Sequence, residues 1–107
     1  MTLIDLQDRV AAWVKHNFPD DTPETTVLGL VEEAGELARA ALKRYQGIRG
    51  TQEEWEAEIR KECGDIYLKL CHTAVMYDFD LEEAILARWA EISKRDWQAD
   101  PIGHGRP

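Results

Sequence analysis

Apolar residues recur along this chain at three- and four-residue intervals, in four runs separated by turn-forming residues. Leu3, Leu6, Val10, Trp13, Val14 and Phe18 form the first run, with Thr2 as its N-cap and Pro19 ending it. Thr22 and Pro23 suit the N-cap and first turn of a second helix, extending to about Tyr45. Its stripe is Val27, Leu30, Val31, Ala34, Leu37, Ala38 and Ala41, centred near Ala34. After a loop at Gln46–Gly50, Thr51-x-x-Glu54 reads as a capping box for a third helix reaching about Tyr77. Trp55, Ile59, Cys63, Ile66, Leu70 and Ala74 form its stripe, flanked by Glu58, Glu62, Asp65 and Lys69. Asp80, with Glu83 three residues on, caps a fourth helix through Ile85, Leu86, Trp89 and Ile92 to about Trp97. The pattern predicts an all-α, four-helix bundle-like domain over residues 1–98. A loose tail follows over residues 99–107, where two prolines and two glycines fall.

Length, charge and cysteine content narrow this picture. A chain of 107 residues is one domain with room for a modest core. Its net charge of −8 gives no basic face for a nucleic acid or an anionic membrane. It would also repel a nucleotide unless a divalent cation mediates. No apolar run is long enough to span a membrane, and Met1 to Arg9 lacks the pattern of a secretory leader, so a cytoplasmic protein is expected. Cys63 and Cys71, eight apart on one helix, are separated by a rise of about 12 Å, too far for a disulfide. Free buried thiols in a reducing compartment are expected. Leu68, Val75 and Met76 fall off the main stripe of the third helix, Trp89 and Trp97 need cover too, and a homodimer or larger homo-oligomer is expected to supply it.

The chemistry lies in the acids. Glu32-Glu33-Ala34-Gly35-Glu36 is followed, after twenty-five residues, by Glu62-Cys63-Gly64-Asp65. Each half stacks two carboxylates three apart on one helical face, which costs a few tenths of a kcal/mol per pair through repulsion. Glu33 and Glu36 lie at the edge of the apolar stripe, not opposite it, and Glu32 lies off the other side. Any one such pair in an acidic helical protein is ordinarily a solvated face. Two pairs on neighbouring helices call for a cation, and Mg²⁺, which takes oxygen ligands and shares its shell with phosphates, fits them. Glu33, Glu36, Glu62 and Asp65 could hold two such ions, with Mn²⁺ able to substitute. Glu32 would be a general base for water. Arg44, Lys69, Lys94 and Arg95 are candidates to hold phosphates. Trp13, His16, Asn17 and Phe18, late in the first helix, could stack on and hydrogen-bond a base. Glu58, Glu82 and Glu91 read as surface residues, His72 as a core-edge residue and His104 as a tail residue.

Glu-Glu-x-x-Glu, a gap of this length and Glu-x-x-Asp resemble the paired motif of the MazG-like, all-α nucleoside triphosphate pyrophosphatases, over roughly Thr25 to Asp80. The run Trp89-Ala90-Glu91-Ile92-Ser93-Lys94-Arg95-Asp96-Trp97 is also similar to the ends of small MazG-like proteins. The resemblance implies a helical homodimer or homotetramer that hydrolyses a (deoxy)nucleoside triphosphate to the monophosphate and pyrophosphate, by water attack at the α-phosphorus. It places the family's Mg²⁺ ligands on Glu33, Glu36, Glu62 and Asp65 and its first motif glutamate, sometimes assigned to activating water, on Glu32. The late Asn and basic residues of many members have only Ser93, Lys94 and Arg95 as counterparts here. Two other classes compete with this reading: a non-catalytic helical oligomeric module that keeps the fold, and a di-iron carboxylate bundle. The second needs Glu-x-x-His pairs, and no His follows an inward glutamate at that spacing.

Overall fold

In a computed structural model, described here over residues 1–103, the chain is all-α with four helices. They are α1 (Leu3–Asn17), α2 (Pro23–Gln46), α3 (Gln52–Met76) and α4 (Leu81–Ile92). Local chemistry sets their starts. Thr2, Thr22, Thr51 and Asp80 each accept a hydrogen bond from the backbone N–H three residues on, satisfying a donor the first turn leaves free. The Thr51–Glu54 box closes in both directions, and Pro23 opens α2. Gly47 ends α2 in the left-handed conformation at φ 67°, its N–H donating to the carbonyls of Lys43 and Arg44.

The fourth helix is shorter than its pattern suggests, ending at Ile92 and not near Trp97. Beyond it the Asp96 carboxylate accepts the N–H groups of Gln98 and Ala99, each at 3.0 Å, offering the backbone a local alternative to another helical turn. A further such bond runs from Gly103 N–H to the Asp100 carboxylate. Residues 104–107 of the expected tail, with His104, lie outside the described residues.

α2 and α3 run antiparallel, as shown by Thr26 meeting His72 at one end and Arg44 meeting Glu56 at the other. Their seam departs from the expected stripes. On α2 the inward positions are Thr26, Leu30, Glu33, Leu37 and Ala40, whereas Val27, Val31, Ala34, Ala38 and Ala41 are exposed. On α3 the residues read as a polar flank, Glu58, Glu62, Asp65 and Lys69, are buried or half-buried, while Cys63 is exposed; of the two thiols only Cys71 is buried. α1 and α4 pack on the far end of α3, around a small core of Cys71, Ala74 and Leu81 with Leu3, Leu6, Val10 and Leu70 against it.

Gln7 joins these parts. Its side chain donates to the Phe79 carbonyl at 2.7 Å and accepts from the Leu81 N–H at 3.0 Å, pinning the α3–α4 turn to α1. That turn needs pinning, because Asp78 sits at φ 56°, a conformation Asp tolerates only at some cost.

A single chain leaves much apolar surface in water. Its accessible area of 8050 Å² exceeds by about 2,000 Å² the roughly 6,100 Å² expected for a folded 12.3 kDa monomer. The radius of gyration, 17.3 Å, compares with about 13 Å for a compact domain of this length. Apolar side chains on α2 (Leu28, Val31, Leu42, Tyr45) and α4 (Leu86, Trp89), each at least half exposed, contribute to this surface.

Gln7→Leu should cost about 2 kcal/mol, because it leaves the buried Leu81 N–H without an acceptor. Urea denaturation of the two chains measures this, and an equal midpoint would show that the turn holds without the clamp.

Candidate active site

The antiparallel seam carries the acids to one level. One carboxylate oxygen each from Glu33, Glu62 and Asp65 lie within 4.8 Å of one another. Glu33 comes from the inward stripe of α2, and Glu62 and Asp65 lie three apart on the inward side of α3. Glu36, one turn after Glu33, stands beside Glu62, whose charge pushes the Glu36 carboxyl above its ordinary value. Glu32 is exposed and close enough to Glu36 to raise it further.

Burial makes this arrangement costly. Glu62 is 1% exposed, and both its Oε2 and that of Glu33 are buried without a hydrogen-bond partner. Burial, then the hydrogen bond with Glu62 and the charges of Glu36, Asp65 and Glu62, push the Glu33 carboxyl up. Burial also pushes Glu62 up, but the Lys61 ammonium, bonded to its Oε1 at 3.2 Å, together with the neighbouring Glu58 and Glu33 carboxyls outweighs it and holds that carboxyl below its ordinary value. A seam of carboxylates with two orphaned acceptor oxygens is chemically suited to a hard cation with oxygen ligands.

The acids divide two depressions. On one side a cleft of about 580 Å³ is lined by Arg9, Trp13, Glu33, Asp65, Lys69 and His72, among others. On the other a hollow of about 410 Å³ is lined by Glu36, Arg39, Trp55, Glu58, Lys61 and Glu62. Within the cleft, Lys69 lies against α2 at Gly29, where an added Cβ would come within 3.2 Å of its ammonium. Neither Lys69 nor Arg9 forms an ion pair with a described residue. His72 is buried, with Nε2 3.4 Å from Thr26 Oγ1 and 3.7 Å from Asp21 Oδ2. Burial, then the Lys69 charge, lower its pKa against the opposing pull of Asp21, so the ring stays neutral at neutral pH. Trp13, 56% exposed, meets Phe18 edge to face at 5.4 Å and presents a ring to the cleft.

Several expected residues are not brought here. Arg44 spends its guanidinium on Glu56 at 2.6 Å, at the far end of α2. Lys94 pairs with Glu91 at 3.7 Å and Arg95 follows α4, a helix that makes no contact with α2. Asn17 donates its amide to the Trp13 carbonyl, closing the end of α1, and the exposed His16 is not among the cleft residues. Conversely, Glu58 is not a plain surface residue: it is half-buried, lines the hollow and pairs with Lys61. Arg9, Lys61 and His72 had no part in the expected site. His72 was legible as the next step of the 62–65–69–72 stripe, and Lys61 through its i,i+3 and i,i+4 relations to Glu58 and Asp65. Arg9 carries no local signal, because only the α1–α3 packing brings it to the cleft.

Residues 21–98 match the family described as "MazG nucleotide pyrophosphohydrolase domain". The chain is similar to a dATP/dGTP diphosphohydrolase of Cyanophage S-2L, at 29% identity over 96 residues, 90% of this chain and 78% of that protein. It is also similar to the uncharacterised protein YvdC of Bacillus subtilis (strain 168), at 33% identity over 88 residues, 76% of this chain and 82% of the relative. No solved structure gives a significant match.

The acid seam makes metal-free stability depend on pH. Glu33 and Glu36, with raised values, hold protons in the folded chain that the unfolded chain gives up. Their contribution is complete below the ordinary value of 4.5 and is lost as pH rises through the folded values. Glu33→Gln removes one of the two raised groups and offers an amide to the orphaned Glu62 oxygen. In EDTA it should therefore melt above wild type at pH 8, and the gain should shrink toward pH 4.5. Thermal melts across that range provide the check.

Proposed function

The chain belongs to the MazG nucleotide pyrophosphohydrolase family and is thus a nucleotide pyrophosphohydrolase, and on that premise we propose that it converts a deoxynucleoside triphosphate to the monophosphate and pyrophosphate with Mg²⁺ held by Glu33, Glu36, Glu62 and Asp65. The observation that carries this reading is the convergence of three carboxylate oxygens within 4.8 Å, two buried acceptors lacking partners, beside a cleft of about 580 Å³. Mg²⁺, or Mn²⁺ in its place, would supply charge neutralisation and Lewis-acid polarisation at the phosphate, as divalent metals do in in-line displacement.

The residues divide the remaining work. Arg9 and Lys69, both cationic and in no ion pair with a described residue, line the cleft wall and attract and orient the polyphosphate against an otherwise acidic surface. The Trp13 ring offers a face on which a base can stack. Glu32, exposed beside Glu36, takes the proton from the attacking water. The functional domain is residues 1–98, because α1 supplies the Trp13 wall and the Gln7 clamp. The activity named for the cyanophage relative makes dATP and dGTP the first substrates to try.

We further assign the exposed apolar faces of α2 and α4 to a homodimer or homotetramer. The surface excess of about 2,000 Å² per chain is the amount an obligate interface removes from water. Free thiols at Cys63 and Cys71 suit a reducing cytoplasm, and no helix of the described residues is long and apolar enough to cross a membrane. A non-catalytic oligomeric module is the alternative; metal-dependent turnover excludes it.

The deciding assay is pyrophosphate release from a panel of canonical and modified (deoxy)nucleoside triphosphates, with Mg²⁺, with Mn²⁺ and with EDTA. Release that requires the metal is expected, and silence across the panel with an intact fold would favour the non-catalytic module. Glu36→Gln and Asp65→Asn should each abolish metal-dependent release while retaining helicity. Glu32→Gln should lower turnover by about 10²-fold or more with metal affinity kept. If it instead loses metal affinity, Glu32 is a ligand.

A further inference from the structure

Lys61 immediately precedes Glu62 on α3, and its ammonium lies 3.2 Å from Glu62 Oε1, 3.6 Å from Glu58 Oε1 and 3.7 Å from Asp65 Oδ2. Glu58 and Asp65 stand three residues before and four after it, so one extended side chain along the helix reaches all three. Its side chain is 62% exposed, while the Glu62 carboxylate it touches is 1% exposed. The stem is thus free to move and only the head is engaged.

From these contacts we propose that Lys61 is a tethered competitor of the divalent cation: its ammonium occupies the carboxylates when no metal is bound and swings to solvent as the metal enters. This rests on reading Glu33, Glu36, Glu62 and Asp65 as cation ligands. Two of the three acids that Lys61 contacts, Glu62 and Asp65, belong to that set. A metal held at about 2.1 Å by their oxygens would stand close to the ammonium, and the two cations would repel. The solvated stem lets the head leave for water, but the head gives up a contact with a buried carboxylate, so its departure weakens metal binding. Lys61 serves the fold, since without any cation the seam would hold five mutually repelling carboxylates, Glu33, Glu36, Glu58, Glu62 and Asp65. Closure of the seam in the metal-free chain is thereby obtained at the expense of metal affinity.

The test uses Mn²⁺ as the probe and the full chain, with free metal followed by its electron paramagnetic resonance signal. Lys61→Gln should bind Mn²⁺ about tenfold more tightly than wild type, a coupling of ordinary size for two mutually exclusive ligands. Lys61→Arg, which keeps the charge, should stay near wild type. Arg60→Gln removes an adjacent exposed charge that makes no ion pair with a described residue, and should change affinity less than about twofold. In EDTA, Lys61→Gln should melt below wild type, and saturating Mn²⁺ should close the difference. Unchanged or weaker affinity in Lys61→Gln, or an equal gain in Arg60→Gln, overturns the competitor role while leaving the metal site standing. Failure of every chain to bind Mn²⁺ overturns the metal site, and the competitor with it.

Discussion

Two carboxylates that face each other in a helix–helix seam, Glu33 on α2 and Glu62 on α3, set the terms for the rest of this structure. Where two helices meet, leucines usually meet. Here the middle of the contact holds like charges with one buried oxygen apiece unsatisfied. Such a seam does not close for its own stability, and it draws help from its surroundings. Arg44 and Glu56 join the helices near the loop, Thr26 and His72 join them at the other end, and Lys61 shields the centre. The small core of Cys71, Ala74 and Leu81 lies apart from it, toward α1 and α4. The core thus lies toward the C-terminal end of α3 and the acid seam at its middle.

The helices were legible because their starts are written locally. Each N-cap is a side chain that bonds a backbone donor three residues away, and no tertiary information is needed to place it. Which face of α2 turns inward was legible only in part: Leu30 and Leu37 of the expected stripe do face α3. Hydrophobicity favours Val27, Val31, Ala34 and Ala41, yet within one chain those positions are exposed while Thr26, Glu33 and Ala40 point to α3. A helix can carry two stripes, and the more apolar one need not face its own chain. The end of α4 was overread for a different reason: Trp97 continues the apolar spacing, but the Asp96 carboxylate captures the backbone first.

For the site, spacing placed the acids on facing helices because the three-residue interval and a five-residue loop between helices constrain where they can meet. Cations were harder to place. Lysine and arginine reach far and choose partners by what happens to be near: Arg44 found Glu56, Lys94 found Glu91, and Lys61 found the acids. Residues on α1 needed the tertiary packing, which alone brings Arg9 and Trp13 to the cleft and leaves Asn17 closing its own helix.

Gly29 shows how narrowly such a site limits redesign. Glycine inside a helix is about 1 kcal/mol worse than alanine, so a stabilising programme would replace it early. The missing methyl is, however, the space through which Lys69 passes on its way to the cleft. Filling it would favour α2 locally but crowd the cleft-lining Lys69 ammonium, which would have to give by a few tenths of an ångström. At this position helix stability and the placement of a cleft-lining ammonium draw on the same few cubic ångströms.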